Sequence, residues 1–187
     1  MSNDHLQTTR KGIETHARRI FTDTTYTYKG HFIVAESMHR WHRGFGVTVV
    51  TLSAIVAFSV IYRFIFSSSV AVISSLAAFV LTSITTKMNP GGSFEKHQMI
   101  ANDYLNLQKK VSRFIDIDLK DETSDIGNLK ITLSSLLNSQ AELNLRYSQD
   151  IIPQWAYKEA KRRIEGGETT YEWEVDELGG YTHGHQL

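Results

Sequence analysis

Imidazole is the side chain most often found on a bound metal, so His39 with His42, and His183 with His185, are the first places to look for chemistry in this chain. A spacing of three puts His39 and His42 on one helix face. No carboxylate cluster accompanies either pair and no His-Glu-x-x-His pattern occurs, so a surface or interfacial pair is the plainer reading. Asp116, Asp118, Asp121 and Glu122 crowd a short stretch that reads as a solvated turn between helices rather than a magnesium cradle. Gly91-Gly92 and Gly166-Gly167 follow no strand and punctuate helices instead of cradling phosphate. With no cysteine, disulfides, thiolate metal sites and cysteine nucleophiles are all excluded. No nucleophile, base and orienting group stand in a recognisable arrangement, and we expect no catalytic residue, no metal and no cofactor.

What remains is a pattern of hydroxyls in apolar surroundings. At about 100° per residue, Ser67, Ala71, Ser74, Ser75, Ala78, Thr82 and Thr85 share one face of a helix. A weaker counterpart, Thr48, Thr51 and Ser59 with Gly44, is interrupted by Ile55. Small faces let membrane helices approach closely, and their hydroxyls bond across helices or back to the i−4 carbonyl. Tight packing in a static anchor is one reading of the stripe. The other is the lining of a water-filled path, which requires several copies because one hairpin cannot enclose a pore.

The elements that must position this stripe are two uncharged apolar segments, 47–62 and 70–86, joined by the connector 63–69. Read as helices they rise roughly 24 to 30 Å, close to the hydrocarbon thickness of a bilayer. A buried helical hairpin of a soluble domain is the alternative, although such helices usually keep a polar face. Arg40 and Arg43 precede the first segment, Lys87 and Lys96 follow the second, and the connector carries only Arg63. Positive charge gathers on the cytoplasmic side, so both termini are expected in the cytoplasm. Trp41, Phe45 and Tyr62 stand where amphipathic rings prefer the interface.

On either side the pattern turns helical and amphipathic. Ile13, Ala17, Ile20, Phe21, Thr24, Tyr28, Ala35 and Met38 recur three and four apart, with a possible break at the Thr-rich patch 22–28 and at Gly30. Gly44 and Gly46 suggest a flexible join to the first apolar segment. Asn89-Pro90-Gly91-Gly92 should end the second, and a new helix is expected from Phe94. Along it Ile100, Tyr104, Leu107, Val111 and Phe114 form one apolar seam. A second seam, Ile126, Leu129, Leu133 and Leu136, would pack against it as an antiparallel pair, and both seams are candidates for driving or regulating self-association. Pro153 suits the first turn of a helix over 154–165.

The expected fold is therefore all-α: an integral membrane two-helix hairpin (46–88), flanked by a cytosolic N-terminal helix (1–45) and a cytosolic C-terminal helical bundle (89–167), with a polar acidic tail (168–187). Lys+Arg and Asp+Glu balance at 20 each, so no direct nucleic-acid binding is expected. Met1 to Arg19 holds no apolar stretch, and no cleaved secretory signal is expected.

The order of the segments Glu36-Ser37-Met38-His39-Arg40-Trp41-His42-Arg43, the apolar hairpin, Phe94-Glu95-Lys96-His97, Ala101-Asn102-Asp103-Tyr104-Leu105 and Ile152-Pro153-Gln154-Trp155-Ala156-Tyr157 near Gly167-Glu168 resembles the SLATT family of bacterial two-transmembrane effectors. That resemblance implies a pore-forming, multi-pass inner-membrane effector of anti-phage defence, commonly of CBASS-like systems, that oligomerises when an upstream signal arrives and stops the infected cell. A cyclic oligonucleotide or a sensor protein is the implied trigger, although no separate nucleotide-sensing domain is visible. A passive membrane anchor or scaffold for a signalling partner is the alternative. A membrane-bound enzyme is the weakest reading, since active-site chemistry is missing.

Overall fold

The computed structural model describes residues 3–61, 68–88 and 90–168. They form five α-helices with no strand: α1 (Asn3–Ile61), α2 (Ser68–Met88), α3 (Pro90–Arg113), α4 (Ile126–Arg146) and α5 (Gln154–Arg163). A π-helical turn, Phe114–Asp118, prolongs α3. The described residues divide into two compact units, one holding those up to Val34 and from His97 onward, the other those within Ala35–Lys96.

The first unit is a helical bundle with an apolar core. Ile13, Ala17, Ile20 and Phe21 from α1 share a core with Leu107, Val111, Phe114 and Ile115 from α3 and its π turn, and with Leu129, Leu133 and Leu136 from α4. Each such side chain removed from water contributes on the order of 1.5 to 3 kcal/mol. Asp125 caps α4, accepting from the Asn128 N–H at 3.1 Å. At the other end Gly167, with φ at +82°, turns the chain out of helical geometry after α5.

The helix runs on without the break that the Thr-rich patch and Gly30 left open. Thr24, Thr25 and Thr27 donate their hydroxyls to carbonyls one turn back, at 2.8 Å each to Ile20, Phe21 and Asp23, so these β-branched residues sit satisfied inside α1. Gly30 is buried with the Ile152 side chain packed onto it, so that a Cβ there would stand 2.9 Å from Cδ1 and 3.0 Å from Cγ2 of Ile152. The glycine is a packing contact, not a helix breaker. Gly44 and Gly46 likewise lie within α1 rather than at a join. Pro90 also departs from expectation: α3 begins at it, four residues before Phe94, and proline suits a first helical turn because its missing N–H would have no partner there.

In the second unit burial is inverted. Val47, Val50 and Phe58 on α1 and Val72, Ile73, Leu76 and Phe79 on α2 are exposed, while Ser74 is buried and Ala77 and Ala78 half-buried. α1 contains a stretch long and apolar enough to cross a membrane, and the apolar part of α2 runs over Val72–Ile84. The 21 residues of α2 rise about 31 Å.

Candidate functional site

Two places hold polar groups in unusual settings. The first is the face of the apolar unit. Ser74 is buried and Ala78 half-buried, whereas Ser75 and Thr82 on α2, and Thr48 and Thr51 on α1, are exposed. The stripe therefore splits into an inner part that packs and an outer part that presents hydroxyls. Thr48, Thr51, Ser53 and Thr82 each donate to a carbonyl four residues back, at 2.8 to 2.9 Å, which satisfies the hydroxyl donor within its own helix. Ser67 and the side chains of Ser59, Ala71 and Thr85 lie outside the described residues. So do the connector 63–67 and the tail 169–187 with His183 and His185.

The second place is a polar cluster in the bundle, built around a pairing of His31 with His97 that the sequence pattern did not single out. His31 on α1 is buried, and its Nδ1 lies 2.8 Å from Nδ1 of His97 on α3. The rings are stacked at 5.1 Å between centroids, and the Tyr104 ring is stacked with that of His31 at 6.4 Å. A contact between two Nδ1 atoms needs one ring to donate and the other to accept, so it survives with no proton added or one, and is lost when both rings are imidazolium. Burial, with the neighbouring His97 second, lowers the pKa of His31 to about 4, against a weaker opposing pull from Asp150. Tyr104 in turn donates to Oδ1 of Asn144 on α4 at 2.8 Å, and Tyr147 donates to the Asp103 carboxylate. Burial raises the pKa of both tyrosines. The cluster thus ties α1, α3 and the end of α4 together.

The residues proposed as assembly seams are placed in the same bundle. Ile100, Tyr104, Leu107, Val111, Phe114, Leu129, Leu133 and Leu136 are all buried within one chain, so the seams are occupied without a second copy. A guanidinium helps to hold them. Arg10, near the start of α1, donates to the backbone carbonyls of Leu119, Asp121 and Ser124 at 3.0 to 3.2 Å and pins the turn between α3 and α4. That turn contains the acidic run, where the Asp121 carboxylate accepts from the Thr123 N–H and hydroxyl at 2.9 and 2.7 Å. These bonds hold the Asp121 carboxyl below its usual range. They make it a turn-forming group.

His39 and His42 are exposed. His39 Nε2 accepts from Arg43 at 2.7 Å and its ring lies 5.0 Å from that of Phe94. Among the described residues no group of three or more His, Cys, Asp or Glu side chains converges as a metal site.

The model of SMODS and SLOG-associating 2TM effector domain family 4 matches residues 13–170, spanning both units. The chain belongs to this SLATT family. Comparison with curated proteins and with solved structures gives no match. The family description of this SLATT protein is of a two-transmembrane domain; among the described residues α1 holds one stretch long and apolar enough to cross a membrane, and Val72–Ile84 in α2 is a shorter apolar run. Membership extends through the helical bundle, so the His31–His97 cluster and the Arg10 side of the α3–α4 turn differ in standing: the cluster falls within the matched residues, whereas Arg10 precedes them.

Proposed function

We propose that this SLATT protein is a bacterial anti-phage effector that sits in the inner membrane as a two-span hairpin, oligomerises, and permeabilises that membrane when an upstream second-messenger or sensor signal reaches its cytosolic bundle. The observation that carries the reading is the inverted burial of the apolar unit: Ser74 is turned in while Val72, Ile73, Leu76 and Phe79 are turned out. In water that arrangement exposes large apolar side chains at about 25 cal/mol per Å². In lipid it costs nothing, and small residues between helices are what close membrane packing favours.

Both termini would face the cytoplasm, with Arg40, Arg43 and Lys87 on that side. Outward hydroxyls at Thr48, Thr51, Ser75 and Thr82 could line a path only between copies, so permeabilisation requires an oligomer. The bundle has a closed core of its own, which suits it to restrain the hairpin until a signal changes its packing. Topology is tested by labelling single introduced cysteines in intact cells: modification of residue 65 from outside, with residues 16 and 130 protected, is expected. Periplasmic labelling of either soluble position would overturn the orientation.

A passive anchor is the competing reading, and the back-bonded hydroxyls favour it to the extent that they need no further partner. Triggered flux across liposomes separates the two.

A further inference from the structure

The exposed face of α1 just before its apolar stretch has a notch. Apart from its chain neighbours and the backbone of its own helix, nothing lies within 4 Å of where a Gly44 Cβ would be, and Ser37, Arg40, Trp41, Phe45 and Thr48 line the gap with it. Trp41 is 64% exposed, and its ring leans on Phe45 at 5.6 Å between centroids. The surroundings are cationic: from residue 24 to 94 Glu36 is the only carboxylate, set against Lys29, Arg40, Arg43, Arg63 and Lys87. Glu36 reaches Arg40 only at 3.8 Å, with both side chains exposed, a pairing weak enough to be shared with another anion. Along α1 the charge ends at Arg43 and an uncharged, largely apolar sequence begins at Val47, so the notch lies at a polar-to-apolar boundary.

We propose that the Gly44 notch seats an anionic phospholipid, its phosphate on the Arg40 guanidinium and the Ser37 hydroxyl, its glycerol against the Trp41 ring, and the start of an acyl chain along Phe45. Each part of that ligand meets its chemical match in order along one helix face: charge, amphipathic ring, apolar ring. A missing side chain at Gly44 supplies the room. The inference rests on α1 crossing the bilayer, and its test separates failure of the site from failure of that reading.

The full-length protein, with Trp155→Phe and Trp173→Phe so that Trp41 alone emits, is reconstituted in phosphatidylethanolamine vesicles. They contain a minor fraction of either brominated phosphatidylglycerol or brominated phosphatidylethanolamine. Preferential quenching by the anionic lipid is expected, corresponding to about fivefold local enrichment for one cation near its headgroup. Arg40→Gln should abolish the preference, and so should Gly44→Leu, which fills the notch and keeps every charge. Arg43→Gln, outside the notch, should retain most of it. A preference that survives Gly44→Leu would overturn the site in favour of diffuse attraction, as would equal quenching by the two lipids in the parent protein. Quenching by neither lipid would overturn the insertion of α1 itself.

Discussion

His31 and His97, 66 residues apart in the chain, meet through their Nδ1 atoms at 2.8 Å inside the helical bundle. The contact joins α1 to α3 by a bond that only a pair short of full protonation can make.

Acid should therefore loosen the bundle. His31 is held near 4 when folded and returns to 6.5 when unfolded, so between those values the unfolded chain binds more protons and stability falls as pH drops. The contribution is complete above 6.5 and is progressively lost toward 4. Thermal unfolding of the full-length protein in detergent, followed by helix circular dichroism, should show a midpoint that declines over this window. His31→Leu should flatten the decline. An unchanged slope in the variant would assign the acid sensitivity to other groups.

Gly30 offers a packing test with an opposite sign in two backgrounds. Alanine in mid-helix is worth about 1 kcal/mol over glycine, but a Cβ here would stand 2.9 Å from Cδ1 and 3.0 Å from Cγ2 of Ile152. Gly30→Ala should lower the unfolding midpoint in the natural sequence and raise it relative to Ile152→Ala alone. The coupling, read from the double-mutant cycle, should lie in the range of about 0.5 to 3 kcal/mol found for touching residues.

Leu133 belongs to the shared core, so Leu133→Ala should cost about 2 to 5 kcal/mol and Leu133→Asp should prevent the bundle from folding. Arg10→Ala, which frees three carbonyls of the α3–α4 turn, should be milder and confined to that turn. Hydrogen exchange should then rise over 119–126 and stay unchanged around Tyr104.

These contacts explain how far the sequence could be read. Three- and four-residue spacing located the core stripe of α1 and both seams, because burying one side of a helix leaves that signature in the residues themselves. Ile13, Ala17, Phe21, Val111 and Leu129 are buried as that spacing requires. Spacing also put Ser74, Ser75, Ala78 and Thr82 on one arc. It could not say which edge of the arc turns inward, since that depends on the neighbouring helix. The continuity of α1 was hidden by residues with poor helix preference, whose hydroxyls and tight contact with Ile152 become favourable only in the folded bundle. The His31–His97 contact left no local trace. His31 falls three residues after Tyr28 and four before Ala35, on the same helix face, but its partner lies on a different helix.

Splitting the stripe sharpens its mutational consequences. Ala78→Leu should disturb packing within the hairpin and lower its thermal stability, whereas Ser75→Leu should leave the isolated hairpin intact and reduce activity that depends on copies meeting. Val72→Leu, on an outward apolar face, should change neither, because lipid accepts the exchange. Stability in detergent and dye release from vesicles, measured on the same three variants, check the separation. Equal effects of Ser75→Leu and Val72→Leu on release would remove the outer hydroxyls from the mechanism.

The most direct measurement is ion and dye flux across liposomes bearing the purified full-length protein, with and without the upstream signalling components of its own system. Flux that appears on triggering, rises steeply with protein density and is lost in Ser75→Leu is the expected result. Intact membranes after triggering, with the protein inserted and folded, would contradict permeabilisation and leave a membrane anchor.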